Sequence, residues 1–138
     1  MQKIIVVLCL AFAAAMPAQA DDHAAQPALY SVLFYADWCG SCKVLDPAIN
    51  KARSQADLDN ERVLFLTLDL TDDTRRHQSG LLANALGIGE YYAKNEGRTG
   101  FMLLVDARTG KLYSRVTKAM DADAITVAVK AALDSTTS

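Results

Sequence analysis

The sequence predicts a three-layer α/β fold in which helices flank a central mixed β-sheet. Three observations predict it: two nearly continuous apolar runs typical of buried strands, helical periodicity after each run, and a hairpin pattern followed by an amphipathic helix. The predicted order is β-α-β-α-β-β-α, which favours a sheet covered by helices on both faces. A chain of 138 residues suits one domain with a real hydrophobic core.

The first half of the chain supplies two strands and two helices. LYSVLFYA (29–36) and RVLFLTLDL (62–70) are the apolar runs. A helix is predicted from Ser41 to about Ala56, with Pro47 inside it and expected to kink it. TDDTRRHQSGLLANALG (71–87) starts with acidic capping residues and ends in glycine, as a second helix should.

The second half of the chain contains the hairpin and the last helix. Residues 87–100 are rich in glycine and charge, and we predict a long connection there. FMLLVD (101–106), the turn ARTG and KLYSRV (111–116) form the predicted hairpin. DADAITVAVKAALD (121–134) is amphipathic, and Asp121 is its expected cap.

Residues 1–20 are expected to be a cleaved secretory signal peptide. Lys3 is followed by an apolar run of about 13 residues and then by PAQA, whose small residues suit signal peptidase. The run is shorter than the ~20 residues that a membrane-spanning helix needs, so no stable membrane insertion is expected after cleavage. Cys9 follows a leucine rather than a small residue, which argues against lipidation. Residues 21–138 are then expected to form a single periplasmic or secreted domain.

The charge of this segment is unremarkable. Loss of Lys3 leaves 13 basic residues against 16 acidic ones, a net charge of −3. The basic residues are scattered among acids, so nucleic acid is not an expected partner. Cys39 and Cys42 are its only cysteines, in a compartment that permits disulfides.

The cysteine pair lies in YADWCGSCKVLDP (35–47), between the first strand and the first helix. Cys39 should occupy the helix N-terminus, where free backbone N–H groups and the helix dipole stabilise a thiolate. Cys42 lies within bonding reach of Cys39, so the pair can close and reopen without rearranging the fold. Lys43 adds a nearby positive charge, unless it is only a solvated helix lysine.

Other kinds of cysteine site are less well supported. A structural disulfide that closes a loop of two residues stabilises little. A zinc site would need His23 and His77 as further ligands, and their spacing is not that of a ligand set. Haem attachment needs histidine where Lys43 stands. We therefore expect a redox pair with no metal and no cofactor.

The stretch FYADWCGSCK, with Pro47 four residues after Lys43, resembles the thioredoxin superfamily from about Leu29 to Leu133. YADWC is also similar to the periplasmic thioredoxin-like domain of the bacterial membrane electron transporter that supplies reductant to that compartment. The resemblance implies a thiol-disulfide oxidoreductase acting on protein thiols and disulfides, with a membrane electron donor as a further possible partner.

The resemblance also implies roles for individual residues. Cys39 would be the nucleophile, Cys42 the resolving thiol, and Trp38 part of the substrate-facing surface. Gly40 and Ser41 would tune the redox potential and contact substrate. They match neither the Gly-Pro of reducing thioredoxins nor the His-containing pairs of strong oxidases, and the surrounding motif favours a reductase.

Two departures from the family pattern affect the predicted site. Leu33 stands where thioredoxins bury a proton-relay acid, and Asp46, one helical turn after Cys42, is either its replacement or a solvated acid. Thr99 and Gly100 stand where the family has a residue followed by cis-proline. A cis bond before glycine costs roughly 2.5–4 kcal/mol, so we expect a trans bond or a shifted loop that still presents backbone groups to substrate.

Two further departures concern the rest of the chain. GEYYAKNEG (89–97) is longer than the family's usual link, and its Tyr91 and Tyr92 are either a partner-recognition patch beside the active site or exposed residues of a flexible loop. Only eight or nine residues precede the first strand after cleavage, so we expect a trimmed fold that lacks the N-terminal strand and helix of full thioredoxins.

A binding module is the alternative function. In that case, the two thiolates would hold copper(I), a soft metal that suits thiolate ligands, or the tyrosine segment would grip one dedicated partner.

Overall fold

The structure is a computed structural model that describes residues 26–137, so the expected signal peptide lies outside the described residues. Within these residues, four strands and four helices follow one another, with a short 3₁₀ turn after the first helix. They are β1 (Leu29–Tyr35), α1 (Gly40–Ala56), the turn Leu58–Asn60, β2 (Val63–Asp69), α2 (Asp73–Ala85), α3 (Gly89–Lys94), β3 (Phe101–Asp106), β4 (Leu112–Thr117) and α4 (Ala122–Thr136).

The four strands form one mixed sheet in the order β2-β1-β3-β4. β1 and β2 are parallel and are joined through α1, because parallel neighbours need a crossover connection. β3 runs antiparallel to both β1 and β4. The predicted mixed sheet is confirmed.

Apolar side chains pack on both faces of the sheet. Successive residues of β1 point to opposite faces: Leu29 and Leu33 join the cluster that includes α1 and α4, whereas Val32 and Phe34 join the cluster with α2 and α3. This alternation explains why β1 is a continuous apolar run. The predicted three-layer architecture is confirmed.

The helix ends agree with the capping signals in the sequence. Asp72 caps α2 by accepting a hydrogen bond from the Arg75 N–H at 2.9 Å, and Asp121 caps α4 by accepting one from the Ala124 N–H at 2.9 Å. The helix α1 continues through Pro47 from Gly40 to Ala56. Among residues 26–137, none of the helices is both long and apolar enough to cross a membrane.

The prediction of a loop between α2 and the hairpin was wrong, because Gly89–Lys94 form the helix α3. Its two tyrosines are half-buried and pack against the core. The Tyr91 hydroxyl donates to the Gly110 carbonyl at 2.7 Å, and the Tyr92 hydroxyl donates to the Arg76 carbonyl at 2.6 Å. Both side chains therefore fasten α3 to its neighbours rather than forming part of a flexible loop.

Candidate active site

Cys39 lies where the chain passes from β1 into α1. It is the N-cap of α1, with extended backbone angles, and its Sγ accepts a hydrogen bond from the Cys42 N–H at 3.2 Å. The sulfur thus takes the place of the side-chain oxygen that usually caps a helix. Both cysteines are free thiols, and Cys39 is 7% exposed.

The surroundings of Cys39 favour its thiolate. Burial raises the pKa of the Cys39 thiol, but the neighbouring Cys42 thiol, the Thr99 hydroxyl and the backbone N–H groups of Cys42 and Ser41 together outweigh that effect. The net pKa lies below the ordinary value for cysteine. Lys43 is exposed on the first turn of α1, so hydrogen bonds rather than a cation dominate this shift.

Cys42 lies on the inner side of α1 and is fully buried. Its thiol is 3.7 Å from the Phe34 carbonyl oxygen, to which it donates. Burial and the interaction with Cys39 raise the pKa of Cys42 to about 11. Of the two sulfurs, Cys39 therefore ionises more readily, and Cys42 keeps its proton near neutral pH.

The segment Thr99–Gly100 covers the cysteine pair from the side of β3. The described residues contain no cis peptide bond, which confirms the expected trans bond before Gly100. The Gly100 N–H donates to the Phe34 carbonyl at 2.8 Å, so this carbonyl accepts from both Gly100 and Cys42. The segment is thereby held directly against the redox pair.

The position of the missing relay acid belongs to the hydrophobic core. Leu33 is 5% exposed and packs in the cluster beneath α1. Asp46 is half-buried on α1 and lines a cavity of about 50 Å³ together with Leu33 and Ser31. The Ser31 hydroxyl is buried and has no hydrogen-bond partner in the structure. A carboxylate therefore stands beside the position that lacks the acid.

The loop that carries Trp38 is tied to the segment between β2 and α2, a contact that the sequence did not reveal. The Asp37 N–H donates to the Thr71 hydroxyl at 3.0 Å, and the Trp38 indole N–H donates to the Thr71 carbonyl at 3.2 Å. Thr71 in turn donates to Asp69 at 2.5 Å. The Trp38 side chain is 58% exposed, so the loop presents it to solvent beside Cys39.

Arg75 joins three carboxylates around the same loop. Its guanidinium lies 3.3 Å from Asp37 and 3.6 Å from both Asp69 and Asp72. These side chains are all at least partly exposed, so each ion pair contributes little by itself. Together they link the loop before Cys39 to the start of α2.

The remaining predicted site residues divide into two groups. Gly40 is exposed and Ser41 is half-buried, both on the first turn of α1 beside the cysteines. Tyr91 and Tyr92 instead make their hydrogen bonds to the hairpin turn and to α2. Within residues 26–137 no three or more His, Cys, Asp or Glu side chains are grouped so that they could hold a metal ion.

Comparison with known proteins finds a family match over the segment that carries the cysteine pair. Residues 17–80 match the sequence model of the thioredoxin family, a segment that contains β1, the cysteine pair, α1 and β2. Over this segment the chain is similar to the thioredoxin family. No curated protein sequence matches this chain.

Two solved structures show how far the likeness extends. DsbF of Mycobacterium tuberculosis, in its mixed oxidised and reduced forms, is 18% identical, with a TM-score of 0.50 over 78% of this chain and 82% of that one. A thiol:disulfide interchange protein of the thioredoxin family from Chlorobium tepidum is 17% identical, with a TM-score of 0.51 over 77% of this chain and 80% of that one. At these identities, the likeness establishes the thioredoxin-like fold of this chain and not its substrate.

Proposed function

We propose that the protein is an exported thiol-disulfide oxidoreductase that reduces disulfides of protein substrates through Cys39 and Cys42. The observation that carries this proposal is the opposite ionisation of two adjacent thiols: the pKa of Cys39 is lowered, and that of Cys42 is raised to about 11. A thiolate attacks disulfides and a thiol does not, so Cys39 serves as the nucleophile and Cys42 as the resolving thiol. Export rests on the expected signal peptide, residues 1–20.

The reaction proceeds through a mixed disulfide. The Cys39 thiolate attacks one sulfur of the substrate disulfide, whose S–S bond breaks, and the leaving sulfur takes the electron pair and a proton. Cys42 then loses its proton and attacks the Cys39 sulfur, which releases the second substrate thiol and forms a Cys39–Cys42 disulfide. The substrate gains two electrons and two protons, and an electron donor must later reduce the pair. A membrane electron donor would suit an exported protein.

The direction of electron flow follows from how the thiolate is stabilised. Strong oxidants stabilise their reduced form, with a nucleophilic thiol pKa near 3.5 in the extreme case. Here burial opposes the ionisation of Cys39, and hydrogen bonds rather than a cation offset it. The likeness of the surrounding motif to reducing members of the family supports a reductase, with a potential closer to thioredoxin's roughly −270 mV than to the about −120 mV of strong oxidants.

The substrate surface surrounds the exposed edge of Cys39. Trp38 projects into solvent beside it, and Gly40 and Ser41 form the adjacent turn. Thr99 and Gly100 border the other side through the segment that covers the pair. An extended substrate chain can lie between the two sides, with its disulfide over the Cys39 sulfur.

Trapping with a Cys42→Ser variant tests the function. Without the resolving thiol, the mixed disulfide at Cys39 persists, so exported proteins should be recovered as covalent adducts that dithiothreitol releases. A Cys39→Ser, Cys42→Ser double variant is the matched control and should trap nothing. An exported extract that yields no adduct with Cys42→Ser, alongside a wild-type protein that does not reduce insulin, contradicts the proposal.

The alternative of a copper(I)-binding module is tested in the same preparation. The observation in its favour is that both thiols are free, adjacent and soft. Titration of the reduced protein with copper(I) should show weak binding if the protein is a reductase. Tight binding of one copper(I) per chain without insulin reduction would replace the enzyme proposal with the binding module.

A further inference from the structure

Gly100 differs from the other glycines that have left-handed backbone angles. Gly87, Gly97 and Gly110 have φ values of +73°, +74° and +72°, and a Cβ added to any of them would meet no atom within 4 Å. At Gly100, with φ of +86°, a Cβ would lie 2.6 Å from the Ser41 Cβ and 3.3 Å from the Cys39 Sγ. The glycine is therefore required there by close packing as well as by backbone conformation.

The close packing brings two groups of this segment onto the redox pair. The Gly100 N–H donates to the Phe34 carbonyl, which anchors the segment to the end of β1. The hydroxyl of Thr99, the preceding residue, is one of the groups that lower the pKa of the Cys39 thiol. Both effects depend on how near the backbone of residue 100 lies to Ser41 and Cys39.

We propose that Gly100 is a positioning residue of the redox site: because it has no side chain, the Thr99–Gly100 segment packs directly on Ser41 and on the Cys39 sulfur, which keeps Thr99 beside that sulfur. The proposal deepens the proposed function and rests on it. Gly100 acts through Thr99 rather than by touching the reacting bond.

Substitution at position 100 has a definite steric consequence. A methyl group 2.6 Å from the Ser41 Cβ cannot be accommodated, because Ser41 is fixed on the first turn of α1. The Thr99–Gly100 segment must then move away, and the Thr99 hydroxyl moves with it. Proline would be worse, since it has no N–H for the Phe34 carbonyl and its ring fixes φ near −65°.

The test measures the ionisation of Cys39 in the reduced, full-length protein. The rate of iodoacetamide modification is followed against pH, with mass spectrometry to confirm that Cys39 is the residue modified. Gly100→Ala should raise the pKa of Cys39 and slow its modification at pH 7 by about 3- to 10-fold, since a pKa higher by one unit lowers the thiolate fraction tenfold. Thr99→Val should shift the profile in the same direction without changing residue 100.

Two variants separate positioning from general damage to the fold. Gly97→Ala imposes the same kind of backbone strain where no atom lies within 4 Å, and should leave the Cys39 profile unchanged. Ser41→Gly combined with Gly100→Ala removes the 2.6 Å contact and should recover part of the lost ionisation. Circular dichroism establishes that each variant is folded, and Thr99→Val decides the question if Gly100→Ala does not fold.

The outcomes distinguish this proposal from the function on which it rests. If folded Gly100→Ala and Thr99→Val both show the same pH dependence of Cys39 modification as the wild type, the positioning role is overturned, even if the protein reduces insulin. The pH dependence of Cys39 modification could instead shift in both variants although the protein neither reduces insulin nor traps substrates. That result would support the positioning role and contradict the proposed function. A Gly97→Ala profile that shifts as far as that of Gly100→Ala would also overturn the proposal, because strain alone would then explain the effect.

Discussion

Cys39 and Cys42 lie three residues apart, yet their surroundings push their pKa values in opposite directions. Cys39 caps the helix and accepts a hydrogen bond from the Cys42 N–H, and polar groups around it favour a negative sulfur. Cys42 is one turn into the helix, fully buried, and its nearest protein acceptor is the Phe34 carbonyl. The difference in reactivity follows from one position being a helix cap and the other being inside the helix.

The raised pKa of Cys42 creates a need for a proton acceptor. In the proposed reaction Cys42 must lose its proton to resolve the mixed disulfide, and with a pKa of about 11 it does so unaided only at high pH. Asp46, one turn further along α1, supplies a carboxylate on the same side of the helix. We expect Asp46→Asn to slow resolution about tenfold at pH 7, and to have a diminishing effect as pH rises towards 11, where Cys42 ionises without help.

The resolution step can be measured directly. Cys39 is loaded with a chromophoric thiol as a mixed disulfide, and release of that thiol by Cys42 is followed at a series of pH values. Asp123→Asn, which removes an exposed carboxylate from α4, is matched for charge and should behave as the wild type. Equal rates for Asp46→Asn and wild type at pH 7 would show that Asp46 is only a solvated acid.

At the scale of elements, the loop before Cys39 depends on the segment between β2 and α2. Thr71 makes the central contact: its hydroxyl accepts from the Asp37 N–H at 3.0 Å and donates to Asp69 at 2.5 Å. Its carbonyl accepts from the Trp38 indole. Two loops that follow neighbouring parallel strands therefore behave as one unit at the edge of the active site.

Replacing Thr71 tests this unit. Thr71→Val keeps the shape of the side chain and removes both hydroxyl hydrogen bonds, so the free energy of unfolding should fall by about 1–2 kcal/mol. Trp38 is the single tryptophan of the chain, and its emission should shift as the loop loosens. Thr74→Val, at an exposed site on α2, is the matched control and should change neither quantity. An unchanged denaturation midpoint in Thr71→Val would show that the loops are held independently.

The sequence was sufficient for the regular elements and insufficient for these long-range contacts. The strands were readable because β1 and β3 are buried on both faces, and α2 and α4 begin with the aspartates that cap them. The helix α3 was missed because glycines at both ends resemble a loop. Its stability comes from tyrosine hydroxyls bonded to partners 16 and 19 residues away, which local patterns do not encode.

The same limit applied within the candidate site. The cysteine pair and its position at a helix N-terminus followed from local spacing, and so did Asp46. The covering role of Gly100 depends on its distance from Ser41 and Cys39, some 60 residues earlier in the chain. Close approach of this kind leaves no sign in the sequence except the glycine itself.

At the scale of the whole molecule, one buried carboxylate ties the hairpin to the last helix. Asp106, at the end of β3, is 4% exposed. One of its oxygens accepts from the N–H groups of Arg108 and Thr109 at 2.9 and 2.8 Å. The other accepts from the Tyr113 hydroxyl at 2.9 Å, and that hydroxyl also lies 3.1 Å from the Ser135 carbonyl on α4.

These hydrogen bonds make the stability of the fold depend on pH. The backbone donors of the turn and the Tyr113 hydroxyl outweigh burial and lower the pKa of Asp106 from its usual 3.8 to about 2. A carboxyl group whose pKa is depressed in the folded state stabilises the fold above its unfolded pKa, and this contribution disappears as the pH falls through the folded pKa. Asp106 should therefore stabilise the protein fully above about pH 4 and progressively less down to about pH 2.

Asp106→Asn isolates this contribution from that of the other acids, which titrate in both proteins. At pH 7, the variant should lose about 1–3 kcal/mol of unfolding free energy, since the hydrogen bonds to a charged acceptor become bonds to a neutral one. The gap should narrow as the pH falls from 4 to 2, because the wild-type carboxyl becomes neutral as well. Urea unfolding at pH 7, 4 and 2.5 measures this difference in unfolding free energy between the wild type and the variant, with Asp123→Asn as an exposed control. A gap of constant size across that range would mean that the turn depends on the shape of Asp106 and not on its charge.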